Sequence, residues 1–548
     1  MKLYQWICYI DVIVKKPIMK TLIRNTVLAT NHWPFFGSLY RRVYLRAFNE
    51  LIHHLNIFPQ IESIYARGGT LATVGVPGSS DIDVDVVLAE TPIHSLDVLR
   101  DIQIVLRRFN ERYPFIQHWA ILDVRQFQMS YLLSSNVRLK EREDKRCLAM
   151  GTDLKKGLTP FKRSIPDHYW GLIKTYCELH EWLQKEESLA HMRYLVVLTS
   201  RLCSRLRQIH CRHDECSNLE ALCRHIEECR FVHKDPQELM YMIWAKVLTV
   251  LDSQISAADL EEGDEQVKRR NVTLFKNETP RVTKGIIQDD LELLNRLLQD
   301  SGIVPCDVMC VFSENSVFHY DFYILMEALP EVEQLKVMLS EWYAVFNAFR
   351  ALRKPDLCTF PIPVVMTTSM FQCQFENLAN PIEALSFLHD SIHRGPLDTL
   401  SSFDEEEIVK RLNRLDREEF LNRVISGPPI SVNLSEKLLA GYQKNNALSI
   451  LGCLDFVLGV VPAKRVLLEH NIVSVSMEGA YRAYLDCYPH EPETKTYTWL
   501  YERFINACTA PEEILLTEKE IETVHRFIIK MKNSIMDKLE IEWRLLKH

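Results

Sequence analysis

The chain has 548 residues, room for two to four domains of about 100–200 residues each, so a single small binding module is excluded. Hydrophobic residues make up 47% and charged residues 25%, with only 17 Gly and 23 Pro, which excludes collagenous and low-complexity chains and leaves a soluble globular protein with full-sized cores. The 65 Lys and Arg against 73 Asp and Glu give a net charge of -8, which excludes a general nucleic-acid coat held by counterion release but not a local basic groove.

Residues 1–34 read as an N-terminal arm: Asp11 interrupts the early apolar stretch and no small-residue cleavage site follows, unlike a secretory leader. The odd count of 15 Cys, scattered without regular spacing, predicts buried thiols in a reducing compartment and a cytoplasmic location. No uncharged apolar run reaches the roughly 18–20 residues that span a bilayer, so no membrane partner is expected.

Helical spacing of Leu39, Val43, Ala47, Leu51 and Leu55 predicts an amphipathic helix over 38–56. A strand over 61–66, a glycine-containing connection over 68–80, a strand over 82–88, a helix over 96–110 and a strand over 118–127 follow, completing an α/β unit over 35–165. Residues 166–255 predict a helical domain, with helices over 169–187 and 191–209, and the charged stretch opening 256–275 predicts a linker. The region 276–548 is expected to be mainly helical, with helices over 289–298 and 331–352 and a strand pair over 308–312 and 316–323. Residues 358–375, apolar and β-branched with Pro361 and Pro363, are not placed by pattern. Thr517 and Glu520 stand at capping-box spacing before one long closing helix. No repeat with a period of 20–50 residues is visible.

The chemistry concentrates in residues 65–88, YARGGTLATVGVPGSSDIDVDVVL. On a strand, Asp81, Asp83 and Asp85 share one face with Cα atoms roughly 6.5–7 Å apart. Such a row repels itself among Ile, Val and Leu unless the acids reach solvent, protonate or bind cations. Mg²⁺ suits them, because it takes carboxylate oxygens and keeps positions for water and triphosphate. Gly68 and Gly69 lack Cβ atoms, so backbone N–H groups there can approach an anion closely, and neither a Rossmann glycine motif nor a P-loop is present.

These residues resemble the nucleotidyltransferase superfamily of the DNA polymerase beta type: an apolar strand, Gly-Gly at 68–69, a connection over 70–80, then Asp81-Ile-Asp83-Val. The runs at 65–68 and 76–83 look most like bacterial adenylyltransferase-type domains, and the resemblance covers residues 35–160. It implies an α+β protein with an N-terminal nucleotidyltransferase α/β core and a small mixed sheet, followed by mainly α-helical domains. It also implies that Gly68 and Gly69 contact the nucleotide phosphates, that Asp81 and Asp83 hold two metals, and that a third acid arrives from a later strand, for which Asp123 is the candidate; the other reading of Asp123 is a strand-edge acid paired with Arg125 or another base. Gly69 stands where Ser is commoner, with Thr70 and Ser79 or Ser80 as nearby donors. Asp85 is an additional acid in register, and the spacing from Gly69 favours Asp81 and Asp83 as the metal pair over Asp83 and Asp85.

Arg67 stands either as a guanidinium fork on the triphosphate or as a surface partner of Glu62. Lys155, Lys156, Lys162 and Arg163 form a basic cluster, either steering the triphosphate or forming a solvated loop. Cys211, His213, Cys216, Cys223, His225, Cys229 and His233 lack a tight Cys-x-x-Cys pair and read as packed thiols rather than a zinc site. The expected activity is two-metal transfer of a nucleoside monophosphate, from ATP or another nucleoside triphosphate, to an acceptor hydroxyl. Two Mg²⁺ are the expected ions, with Mn²⁺ able to substitute. Acidic net charge favours a small molecule or protein as acceptor over RNA. The alternative is a catalytically silent nucleotide sensor or protein-interaction member of the same fold.

Overall fold

The computed structural model describes residues 33–67, 82–89, 96–133 except 114 and 117, 147–158, 236–256, 271–275, 284–302, 307–312, 320–352, 364–376, 392–394, 405–415, 432–509 and 516–547, with a few isolated positions besides. Most of the N-terminal arm 1–34, the helices expected over 169–187 and 191–209, the bulk of the charged linker and the Cys/His cluster over 211–233 lie outside the described residues, apart from isolated positions. What is described is a mixed α+β chain, mostly helical, with small sheets.

The first unit runs α1 (Pro34–Leu55), β1 (Ile61–Arg67), β2 (Asp83–Leu88), α2 (Leu96–Arg112), β3 (His118–Asp123), α3 (Val124–Leu133) and β4 (Cys147–Gly151). The next stretch holds α4 (Pro236–Ser256), β5 (Thr273–Phe275), α5 (Lys284–Asp300), β6 (Asp307–Phe312), β7 (Tyr320–Met326), α6 (Val332–Leu352), β8 (Val364–Thr367), α7 (Thr368–Glu376) and β9 (Ile392–Arg394). The C-terminal part contains α8 (Glu405–Arg414), α9 (Val432–Gln443), α10 (Ala447–His470), β10 (Ile472–Ser474), α11 (Met477–Cys487), α12 (Pro492–Thr509) and α13 (Glu518–Lys547).

The first sheet has the order β3-β2-β1-β4, with β1 antiparallel to both β2 and β4, and β2 parallel to β3. Alternation along β2 explains its two faces. Val84, Val86 and Leu88 are buried with Ile64, Ala66 and Ile121 against Leu51 and Leu55 of α1 and Leu99, Ile102 and Leu106 of α2. Tyr65, Val87, Leu122 and Phe127 form a smaller core on the other face. A second sheet has the order β8-β7-β6-β9, and β5 pairs in parallel with β10.

Several boundaries differ from expectation. Alternation suggests a strand to residue 127, but β3 ends at Asp123, because Asp123 and Gln126 form a reciprocal cap. Asp123 Oδ1 accepts from the Gln126 N–H at 2.8 Å and Gln126 Oε1 accepts from the Asp123 N–H at 3.2 Å, starting α3 at Val124. The unplaced segment 358–375 contains β8 and all but the last residue of α7. The expected capping box of the closing helix is present: Glu520 Oε2 accepts from the Thr517 N–H at 2.7 Å, and the Thr517 hydroxyl accepts from the Glu520 N–H at 3.3 Å. Among the described residues one helix, α10, is long and apolar enough to cross a membrane. It is mostly buried inside the protein, touching α9, α11, α12 and α13, and serves as the core helix of the C-terminal part.

Candidate active site

The central strand β2 carries the two described acids of the row. Asp83 pairs across the ladder with Arg67 on one side and His118 on the other; Asp85 pairs with Tyr65 and Ala120. Both belong to the face that does not carry α1 and α2, since their neighbours Val84 and Val86 fill that core. Asp83 is half-buried and Asp85 is 1% exposed. Asp81, Gly68, Gly69, Thr70, Ser79 and Ser80 lie outside the described residues, as does the side chain of Arg67. The ladder nevertheless fixes where their segment starts and returns: Arg67 ends β1 opposite Asp83, the first residue of β2, so the glycine connection is anchored at the Asp83 end of the sheet.

Tyr65 organises the floor beside these acids. Its buried ring stacks on Phe127 at 4.5 Å, and its hydroxyl accepts from the Leu154 N–H at 2.7 Å while its proton faces the Thr152 carbonyl at 3.2 Å and Asp153 Oδ1 at 3.3 Å. The Ser63 hydroxyl donates to the same carbonyl at 2.6 Å. These bonds hold the turn after β4 over the ring and bring Lys155 Nζ to 5.7 Å from the ring centroid, within cation–π range. One member of the expected basic cluster therefore stands on this face, and Lys162 and Arg163 lie outside the described residues. Gly151 makes the close β1–β4 approach possible: its φ is +85°, and a Cβ there would stand 1.9 Å from the Glu62 carbonyl oxygen.

Asp123, the expected third acid, does not reach this face. Its ladder partner is Leu88, five positions along from Asp83, so roughly 16 Å separates the two Cα atoms. The parity is wrong as well, because Leu88 points into the α1–α2 core while Asp83 and Asp85 point away from it. The carboxylate is committed elsewhere: Oδ1 caps α3, and Oδ2 takes the ammonium of Lys532 from α13, both side chains being 5% exposed. Arg125, two residues on, meets Asp537 at 2.6 Å and Glu540 at 2.5 Å on the same helix. Asp123 thus belongs to a clasp between the first unit and the closing helix. Among the described residues no three carboxylate, imidazole or thiol groups converge as a metal cluster.

Two features escaped the sequence reading. Tyr65 and Asp153 were visible only as parts of longer motifs, with nothing to say that they meet. Lys532 had a usable signal: it lies on the buried stripe of α13 with Ile528, Ile529, Ile535 and Met536, where a lysine needs a buried partner.

The chain matches no protein-family model, no curated protein and no solved structure.

The donor chemistry suits a hard divalent cation: two carboxylates side by side on one strand, one of them buried, leave the remaining positions of an octahedral ion for water and phosphate oxygens.

Proposed function

We propose that the face of the first sheet bearing Asp83 and Asp85 binds the Mg²⁺ complex of a nucleoside triphosphate, and that the protein transfers the nucleoside monophosphate to an acceptor hydroxyl. The observation that carries this is the placement of Asp83 and Asp85 on the face of the central strand turned away from α1 and α2, at the end where the Gly68–Gly69 connection begins and returns. The nucleotidyltransferase resemblance implies Asp81 and Asp83 as the metal pair; Asp83 alone of these is described, and its position at the start of the strand beside the glycine connection supports a metal-holding strand next to a phosphate-holding turn. Asp83 would hold the ion, with Asp85 or Asp81 as its second carboxylate. Mg²⁺, when bound there, neutralises phosphate charge as pyrophosphate leaves. Gly68 and Gly69 would offer backbone N–H groups to the phosphates, and Lys155 would add positive charge beside Tyr65. Positioning and electrostatics of this kind account for most of the acceleration in phosphoryl transfer.

One observation favours a second reading, the silent nucleotide sensor: Asp123 is tied to Lys532 and is not offered to a metal. The two readings separate in one experiment. The protein is incubated with labelled nucleoside triphosphates, Mg²⁺ or Mn²⁺, and a cell extract as the source of acceptor, beside Asp83→Ala. Transfer of label that falls at least 100-fold in the variant, with the melting temperature held, supports the enzyme. Metal-dependent nucleotide binding without transfer supports the sensor, and transfer that survives Asp83→Ala removes the assignment.

A further inference from the structure

We infer that residues 284–394 are a second copy of the unit formed by residues 34–151, and that this copy holds no nucleotide, so that the chain carries a single nucleotide site, on the first sheet. The element order is the same, helix-strand-strand-helix-strand-helix-strand, in α1-β1-β2-α2-β3-α3-β4 and in α5-β6-β7-α6-β8-α7-β9. The sheets have the same order, β3-β2-β1-β4 and β8-β7-β6-β9, and each pairing has the same sense. The opening hairpin is antiparallel, its second strand is parallel to the third, and its first strand is antiparallel to the fourth.

The agreement extends to single residues. In both units the third strand runs without a break into a helix, and its last residue is the cap: Asp123 accepts from the Gln126 N–H, and the Thr367 hydroxyl accepts from the Met370 N–H at 3.2 Å. Setting Asp123 on Thr367 sets Phe127 of α3 on Phe371 of α7. The ladder partners Leu88 and Met326 then coincide, which sets Val84, Val86 and Leu88 on Phe322, Ile324 and Met326, all buried in both units. The faces agree too. Phe322 meets Phe349 of α6 at 5.8 Å, on the side where Val84 meets α2, and Phe371 lies 5.5 Å from Tyr323, on the side where Phe127 lies against Tyr65. Each cap is also tied to a long helix outside its own unit, Asp123 to Lys532 of α13 and Thr367 to Asp252 of α4.

The same superposition shows what the second unit lacks. Asp83 falls on Asp321, but Asp85 falls on Tyr323, a buried ring packed on Phe371 where the first unit has a carboxylate. The hairpin connection, residues 68–82 in the first unit with Gly68 and Gly69, is replaced by residues 313–319, SENSVFH, under half as long and without glycine. A single carboxylate without a glycine turn offers neither the paired oxygens nor the close backbone N–H groups that a metal-bound triphosphate uses. The second sheet is instead absorbed into the large core of the C-terminal helices, whereas the first keeps cores of its own on both faces. The silent copy is therefore the framework on which the helical part is assembled.

The number of sites rests on the nucleotide reading of the first sheet; the duplication and the silence of the second copy do not. The test is a crystal structure of the full chain grown with Mn²⁺ and a slowly hydrolysed nucleoside triphosphate analogue, using the anomalous signal of Mn²⁺, beside equilibrium dialysis of wild type, Asp83→Ala and Asp321→Ala. Expected are density with the strand order β8-β7-β6-β9, Mn²⁺ at the first sheet alone, and one nucleotide per chain. Affinity should fall at least tenfold in Asp83→Ala and stay within twofold in Asp321→Ala. Mn²⁺ or nucleotide at the second sheet, two nucleotides per chain, or a different strand order overturns the inference. No nucleotide at either sheet, with the strand order as stated, removes the proposed function while upholding the duplication and the silent second copy.

Discussion

Lys532→Met tests whether Asp123 is a structural or a catalytic acid. The ammonium and carboxylate are each 5% exposed, so methionine in place of the lysine keeps most of the volume but strands a buried charge. Breaking such a pair from one side costs about 3–5 kcal/mol. The loss is local to the contact between α13 and the first unit, so it is read best by hydrogen exchange of amides near residue 532, where protection should fall on the order of 10²- to 10⁴-fold. Adding Asp123→Asn to Lys532→Met should restore most of that protection. Asn caps a helix nearly as well as Asp, its Oδ1 can still accept from the Gln126 N–H, and no charge remains buried. A coupling between the two substitutions below about 1 kcal/mol would refute the clasp. So would an Asp123→Asn protein that keeps wild-type protection yet loses nucleotide transfer, because only a catalytic acid behaves in that way.

Three further outcomes follow from the geometry. Gly151→Ala should destabilise by about 2–4 kcal/mol, combining a left-handed φ with a backbone clash, whereas Gly157→Ala, at φ +82° in open space, should cost only about 1 kcal/mol; thermal melts of the two variants separate strain from overlap. The Arg465 guanidinium, which donates to Glu491 at 2.6 and 2.7 Å, holds that carboxyl below its ordinary range. Its contribution is complete above the unfolded value of about 4.3 and is lost as pH falls through the depressed folded value, so Arg465→Met should lower the melting temperature at pH 7 and approach wild type in acid. Burial pushes Glu436 the other way, upward, against the opposing hydrogen bond from Gln103. Its contribution is present below about 4.3 and is lost as pH rises through the raised folded value, so Glu436→Gln should melt higher than wild type at pH 7, with the gain vanishing in acid.

The elements that sequence reveals are those with a long, one-sided apolar pattern. α1, α2, α6 and α13 each set a stripe against solvent, and β2 announces itself by Val84, Val86, Val87 and Leu88 set among Asp83 and Asp85. α10 has no such stripe, because neighbours cover it on all sides and it carries Pro462 in its interior; its boundaries are written instead in Asn446, whose side chain accepts from the Ser449 N–H at 3.1 Å, and Asn471 at φ 56°. β5, β9 and β10 have three residues each, too few for any period, and exist only because a partner strand supplies their hydrogen bonds.

The site divides in the same way. Asp83 and Asp85 share a face because a strand alternates, which is local information and legible from residue types alone. Asp123 needed the register between β2 and β3, which is set by the length of α2 and its connections and by the capping pair Asp123–Gln126. An acid at the last residue of an apolar strand can look to a neighbouring strand or to the helix that follows it, and the choice turns on whether a Gln or Glu stands three residues later. Gln126 does, so the backbone takes Asp123 for its first turn, and Lys532, 409 residues away, takes the charge that remains. The same offset marks Thr367, where the hydroxyl caps α7 with no charge left over, and there the tie to α4 is a hydrogen bond donated to Asp252 in place of an ion pair. A capping residue in this fold thus selects which kind of helix can pack beside it: an acid calls for a buried cation, a hydroxyl for an acceptor.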